Sequence, residues 1–135
     1  MPEPKTVDYD KLALPDVIPR SHWRWYIHSS LRREIPRALE AAGLRSGLRV
    51  LDIGCGARPH ERPVRAQGAE YEGADVSGNA HADHVIGPHG SLPLPDESYD
   101  VVLSTQVLEH VPDPRAFLSE ARRVLRPGGR LVIST

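Results

Sequence analysis

The residues in this chain best suited to chemistry are two glycines and an acid. Gly54-Cys55-Gly56 follows the short apolar run Val50-Leu51-Asp52-Ile53. Glycine has no Cβ, so a ligand can approach the backbone N–H groups closely there, and a positive φ is allowed. Asp75 closes the segment Tyr71-Glu72-Gly73-Ala74-Asp75-Val76. It lies about 20 residues past the bend, the interval at which a carboxylate can accept both hydroxyls of a ribose. Each residue also has a plainer reading, the glycines as a tight strand-to-helix turn and Asp75 as a solvated turn acid. Their spacing favours a nucleoside-bearing ligand gripped by both.

Other reactive side chains make weaker constellations. Glu109 and His110 could act as a general base, which a reaction needs only when its nucleophile must shed a proton early. Capping the turn after a strand suits them better, so no catalytic residue is assigned. His81, Asp83, His84 and His89 match no zinc spacing, and no metal is expected. Cys55 has no partner base placed by the sequence, which argues against a nucleophile.

The elements that must position these residues follow from periodicity. Residues 50–53 and 98–104 are continuous apolar runs of the length of buried parallel strands. Further strands are expected at 71–76, 82–86 and 130–135. Trp23, Ile27, Leu31, Ile35, Ala38, Leu39 and Ala42 form one helical stripe. Ser21 would cap that helix, Pro36 would kink or split it, and Gly43 would stop it. Pro59 suits the first turn of a helix running to Gln67. Asp113-Pro114 starts another, with Phe117, Leu118, Ala121, Val124 and Leu125 on its apolar face. Pro127-Gly128-Gly129 should make a tight turn.

Strands alternating with helices imply a Rossmann-like α/β fold, a parallel sheet with helices on both faces. Ligands in such sheets bind beyond the carboxyl ends of the strands. Gly54, Asp75, Ser91 and Gln106 all fall at or just after strand ends and so converge on one side. Residues 1–20, with Pro2, Pro4, Pro15 and Pro19 and no period, read as an extended arm ahead of a domain at 21–135. The cluster Trp23, Trp25 and Tyr26 is either core and lid packing or an aromatic wall toward a substrate.

Composition narrows the function classes. The formal net charge of −1 makes no electrostatic case for nucleic acid or an anionic membrane as partner. No apolar run approaches the roughly 20 residues of a membrane span, and Met1-Pro2-Glu3-Pro4-Lys5 does not open a signal peptide. A single cysteine excludes an internal disulfide and makes a cytoplasmic setting the expectation.

Four ordered segments resemble the class I S-adenosylmethionine-dependent methyltransferases. They are Val50-Leu51-Asp52-Ile53-Gly54-Cys55-Gly56, then Gly73-Ala74-Asp75-Val76, then residues 92–102, then Val107-Leu108-Glu109-His110-Val111 running on to Leu125-Arg126-Pro127-Gly128-Gly129-Arg130-Leu131. The resemblance implies S-adenosylmethionine as cofactor and strand order 3-2-1-4-5. It implies that Gly54, Cys55 and Gly56 pass under the methionine part and that Asp52 lies near its ammonium, directly or through water. Asp75 would hold the ribose and Val76 would cover the adenine face. Gly90, Ser91 and Leu92 would border the adenine edge, and Gln106 would close the methionine side. The function implied is methyl transfer to an unidentified acceptor, with the near-neutral charge favouring a small molecule.

The chain departs from the family pattern in two places. Pro88 stands where relatives often carry an acid that reaches the adenine amino group, and it can offer only its carbonyl. The family sheet normally continues past the fifth strand, which here would be an apolar edge. A further C-terminal segment or a second copy of the chain is expected to cover it. Two rival functions follow. One is a truncated, inactive or scaffold-like module. The other is a nicotinamide-dependent oxidoreductase, which would want a third glycine where Pro59 stands.

Overall fold

A computed structural model describes Arg20, Ser21 and residues 24–135. The expected arm lies outside the described residues except for Arg20, as does Trp23. Five strands form one sheet: β1 Arg49–Ile53, β2 Glu70–Asp75, β3 His84–Val85, β4 Tyr99–Thr105 and β5 Leu125–Ser134. Their order is β3-β2-β1-β4-β5, and every pairing is parallel. This is the Rossmann-like α/β arrangement expected. Central β1 lies between β2 and β4, with Leu51 opposite both Glu72 and Val102.

The sheet differs from expectation at both edges. β3 is only two residues long, pairing His84 with Ala74 and Val85 with Asp75. β5 begins at Leu125, which pairs with Tyr99; an irregularity follows, and the register resumes with Arg130 opposite Val101. The Pro127-Gly128-Gly129 turn is that irregularity, with Gly128 at φ 80°. In a parallel pair such an insertion bends the strand and leaves extra residues unpaired.

Helices α1 (Trp25–Ala41), α2 (Glu61–Ala66) and α3 (Pro114–Val124) cover the two faces. On one face Ile35 and Leu39 of α1 and Val64 of α2 join Val50, Tyr71, Val101 and Leu103. On the other, Phe117, Ala121 and Val124 of α3 join Leu51, Ile53, Ala74 and Val102. None of the described helices is long and apolar enough to cross a membrane.

Helix ends explain several outcomes. α1 starts after Arg24, not at Ser21, and has no side-chain cap. It also runs through Pro36 without a break. The buried pair Ile35 and Leu39 on either side of Pro36 holds the two turns against the sheet, so packing outweighs the lost backbone bond. Its stop is as expected: Gly43 N–H donates to Glu40 O at 2.9 Å and Leu44 N–H to Leu39 O at 3.0 Å. That is the Schellman pattern, with Leu39 and Leu44 both in the core. α2 begins only at Glu61, with Pro59 in the turn before it. Arg58, at φ 61°, reverses the chain there, which delays the helix. For α3, Asp113 Oδ1 accepts the N–H of Arg115 at 3.0 Å and of Ala116 at 3.1 Å, so the expected cap and N1 proline are both in place.

Neither crossover beside β3 contains an α-helix; Pro88–Gly90 is a single 3₁₀ turn. Side chains hold these segments instead. Arg58 donates to Glu61 Oε2 at 2.9 Å, to His81 O at 2.8 Å and to Asp83 Oδ2 at 2.8 Å. Its guanidinium lies over the Tyr71 ring, 5.0 Å from the centroid. Arg123 of α3 donates to Leu92 O at 3.0 Å and to Leu94 O at 2.8 Å, while Glu120 Oε2 accepts the Leu92 N–H at 2.8 Å.

Candidate cofactor site at the carboxyl ends of the strands

With every strand parallel, Ile53, Asp75, Val85 and Thr105 end on one rim. The bend leaves β1 at Gly54, whose N–H donates to Ala74 O at 2.8 Å; Cys55 N–H shares that acceptor at 3.2 Å. Both glycines take positive φ, 78° at Gly54 and 53° at Gly56. They differ in surroundings. A Cβ on Gly54 would come within 2.3 Å of Val107 Cγ2, whereas a Cβ on Gly56 would meet nothing within 4 Å. Gly54 is therefore a packing requirement, and Gly56 borders open space.

Asp75 reaches that open side. Its Oδ2 accepts the Gly56 N–H at 2.9 Å and its Oδ1 the Val76 N–H at 2.8 Å. The bend and the acid are thus brought together as the spacing required. Val76 follows with 52% of its surface exposed, an apolar face available at the rim. The Ile86 N–H donates to Asp75 O at 2.8 Å, so the loop carrying Gly90, Ser91 and Leu92 starts beside the acid. In that loop Gly90 has φ 80°, Ser91 Oγ donates to Pro88 O at 3.0 Å, and Leu92 is buried.

Asp52 lies beneath the bend rather than on the rim. It is 1% exposed; its Oδ2 accepts the Tyr71 hydroxyl at 2.6 Å, and its buried Oδ1 has no hydrogen-bond partner. Burial, with a smaller push from the nearby Asp75 charge, raises its carboxyl to about 7 despite the Tyr71 bond. A buried acceptor without a donor is costly, and a bound cation or a water would relieve it. The same burial pushes the Tyr71 hydroxyl above its ordinary value. Cys55 is buried too, and burial together with Asp52 and Asp75 drives its thiol to about 12, so it stays neutral and unreactive.

Gln106 sits at the end of β4 with φ 56°. Its N–H donates to Ser134 O at 2.9 Å and its Nε2 to Ser134 Oγ at 3.4 Å, so its side chain is turned toward β5. Glu109 and His110 are exposed on the 3₁₀ turn Leu108–His110. Trp25 packs under the Arg20 guanidinium, 5.2 Å from its centroid, and Tyr26 is 74% exposed. Asp83 is spent on Arg58 and the Gly73 N–H, and His84 on Glu72 at 2.6 Å. Among the described residues no group of three or more such side chains converges as a metal ligand set.

Most of the chain has the same pattern as known proteins. A family model described as "Methyltransferase domain" matches residues 22–135. The chain belongs to this family of S-adenosylmethionine-dependent methyltransferases. It is 37% identical over 123 residues to a ubiquinone biosynthesis O-methyltransferase of Cereibacter sphaeroides, covering 82% of this chain and 50% of that relative. The chain therefore spans about half the length of the curated relatives it matches. Among solved structures it is similar to the [4+2]-cyclase SpnF, with TM-score 0.66, 28% identity, and coverage of 87% of this chain and 48% of that one. A methyltransferase from Aquifex aeolicus shares the fold, with TM-score 0.63 and 23% identity over 88% of this chain and 66% of that one.

Sequence reasoning missed several residues around this candidate site. Asn79 is buried beside Asp75. His60 shares a hydrogen bond with Thr105 Oγ1 at 3.1 Å, and burial, with His28 nearby, drops its imidazole to about 4. Glu120 anchors the loop at Leu92 from 28 residues' distance along the chain. A polar residue inside the 76–83 crossover, where a helix would ordinarily run, was the one signal available for Asn79. Nothing in the spacing pointed to the other two.

Proposed function

We propose that this chain is the cofactor-binding part of a methyltransferase that uses S-adenosylmethionine and acts on the oxygen of a small molecule. The observation that carries the reading is the direct bond between Asp75 and the Gly56 N–H, set beside the open space at Gly56. The residues suit the cofactor: Asp75 for ribose hydroxyls, Val76 as apolar cover for adenine, the loop at Gly90 to Leu92 along its edge, and the partnerless Asp52 Oδ1 below the bend for positive charge. Oxygen as the accepting atom is supported by the O-methyltransferase relatives.

When bound, the cofactor supplies an electrophilic sulfonium methyl. The protein's part is alignment. The bend sets where the cofactor's backbone-facing side lies, Asp75 sets its rotation, and the β4 end with Gln106 borders the place where an acceptor must approach in line. No side chain is assigned as base, since Glu109 and His110 are exposed.

Calorimetric titration of the chain with S-adenosylmethionine tests this. We expect binding that Asp75→Asn weakens at least about tenfold, the loss of a charge-assisted pair. Binding of NADH instead would favour the oxidoreductase reading. No binding of either would leave a module that serves only as a scaffold.

A further inference from the structure

Asn79 lies in the helix-free crossover between β2 and β3 and is 6% exposed. Both hydrogens of its amide are used. Nδ2 donates to Asp75 Oδ2 at 2.8 Å and to Gly56 O at 2.8 Å. Its Oδ1 accepts the His81 N–H at 2.9 Å. One side chain thus ties together the acid, the bend and the crossover.

The carboxylate's capacity makes this more than a brace. A carboxylate has about four acceptor positions, two on each oxygen. On Asp75 the Gly56 N–H and the Asn79 amide fill Oδ2, and the Val76 N–H takes one position on Oδ1. That leaves one position on Oδ1 open for a ribose hydroxyl. Two of the three are main-chain groups held by β2 and the bend. Asn79 is the side chain among them, and its second hydrogen on Gly56 O fixes it to the bend.

We propose that Asn79 is a cofactor-positioning residue: it holds the Asp75 carboxylate against the bend, so that the open side of Oδ1 is set for a ribose hydroxyl. The proposal rests on the S-adenosylmethionine reading above. The donor matters as well as the shape, because it keeps a second acceptor away from Asp75.

Asn79→Asp isolates the donor. The variant keeps the size of the side chain and the Oδ1 that accepts from His81. At pH 8 the introduced carboxylate has no proton to give and faces Asp75 as a like charge. At lower pH the pair takes up a proton, which restores a donor in the amide's position. Other charged groups face this corner: Asp52 on β1, Arg58 and Glu61 from the bend and α2, and His81 and Asp83 in the crossover. They are common to both proteins, so the readout is the ratio of dissociation constants, variant over wild type, for S-adenosylmethionine.

We expect that ratio to be at least about ten at pH 8 and to fall several-fold by pH 6. A purely structural role would give a ratio that does not change with pH, and that result, or a ratio near one at pH 8, overturns the proposal. Asn79→Ala is the second variant; it loses the donor at every pH and should show about tenfold weaker binding at both, while wild-type affinity in it also overturns the proposal. If the wild-type chain itself fails to bind, the cofactor reading falls and Asn79's role falls with it. Wild-type binding with an unaffected variant removes only the role of Asn79.

Discussion

Asp75 at the end of β2 accepts the Gly56 N–H at 2.9 Å, so two segments 19 residues apart in sequence meet at one corner of the sheet. The corner draws on three parts of the chain: the bend, the acid and the short crossover behind it. Changes to any of them should therefore separate effects on folding from effects on binding.

Asp52 offers the sharpest separation. Its carboxyl is raised from 3.8 to about 7, which corresponds to roughly 4 kcal/mol of folding cost for the charged form. Because the folded value lies above the unfolded one, the cost is full above pH 7, declines as pH falls, and is gone below about pH 3.8. Asp52→Asn should stabilise the chain at pH 8 by about 1–3 kcal/mol, after allowing for an unpartnered buried amide. That gain should shrink steadily toward pH 4 in urea melts. The same variant should bind S-adenosylmethionine more weakly at pH 8.

Tyr71 tunes this group. Its hydroxyl bond to Asp52 at 2.6 Å lowers the carboxyl, against the larger effect of burial. Wild-type affinity for the cationic cofactor should therefore decline as pH falls through about 7. In Tyr71→Phe the midpoint of that decline should move to higher pH. Titrations at several pH values read it directly, and an unmoved midpoint would show that Asp52 does not sense the cofactor's charge.

The two bend glycines should fail in different ways. Gly54→Ala drives a methyl into Val107 at 2.3 Å, and overpacking together with a positive φ should cost about 2–4 kcal/mol of stability. Gly56→Ala meets no atom within 4 Å and should cost only about 1 kcal/mol from its φ. Its methyl enters the space assigned to the cofactor, so binding should be lost from a chain that still folds. Thermal melts paired with titration distinguish the two.

Glu120 reaches the site from the opposite face. Glu120→Ala leaves the Leu92 N–H without that acceptor and removes one of the two carboxylates that hold Arg123, Asp96 being the other. Stability should drop by about 1–2 kcal/mol. Affinity for S-adenosylmethionine should fall several-fold, because the loop at Gly90 to Leu92 is no longer held. Unchanged affinity would mean that this loop does not border adenine.

The sheet was legible because its strands are written in apolar runs. Val50 to Ile53 and Val101 to Ser104 are buried on both faces, and such runs have few other uses. The meeting of the bend and Asp75 was legible because both fall at the carboxyl ends of neighbouring parallel strands. What was hidden depended on tertiary packing. Pro36 reads as a break, yet the buried residues around it carry α1 through. Pro59 reads as a helix start, yet Arg58 adopts a left-handed conformation and postpones the helix to Glu61. Glu72 reads as an ordinary strand residue; burial opposes its charge, but donors from His84, Arg49 and Tyr99 hold it at about 2. Those three partners come from three different strands, which no local pattern can join.

β3 is held by two residue pairs, with no helix in the segments on either side. Amide hydrogens there should exchange with solvent before those of β1 or β4, since opening that edge exposes little apolar surface. One of its ties is the Ile86 N–H on Asp75 O, and the stretch that follows it leads to Gly90 to Leu92. On the proposed reading, the part of the sheet that frays most readily is also the side from which a nucleoside would enter and leave.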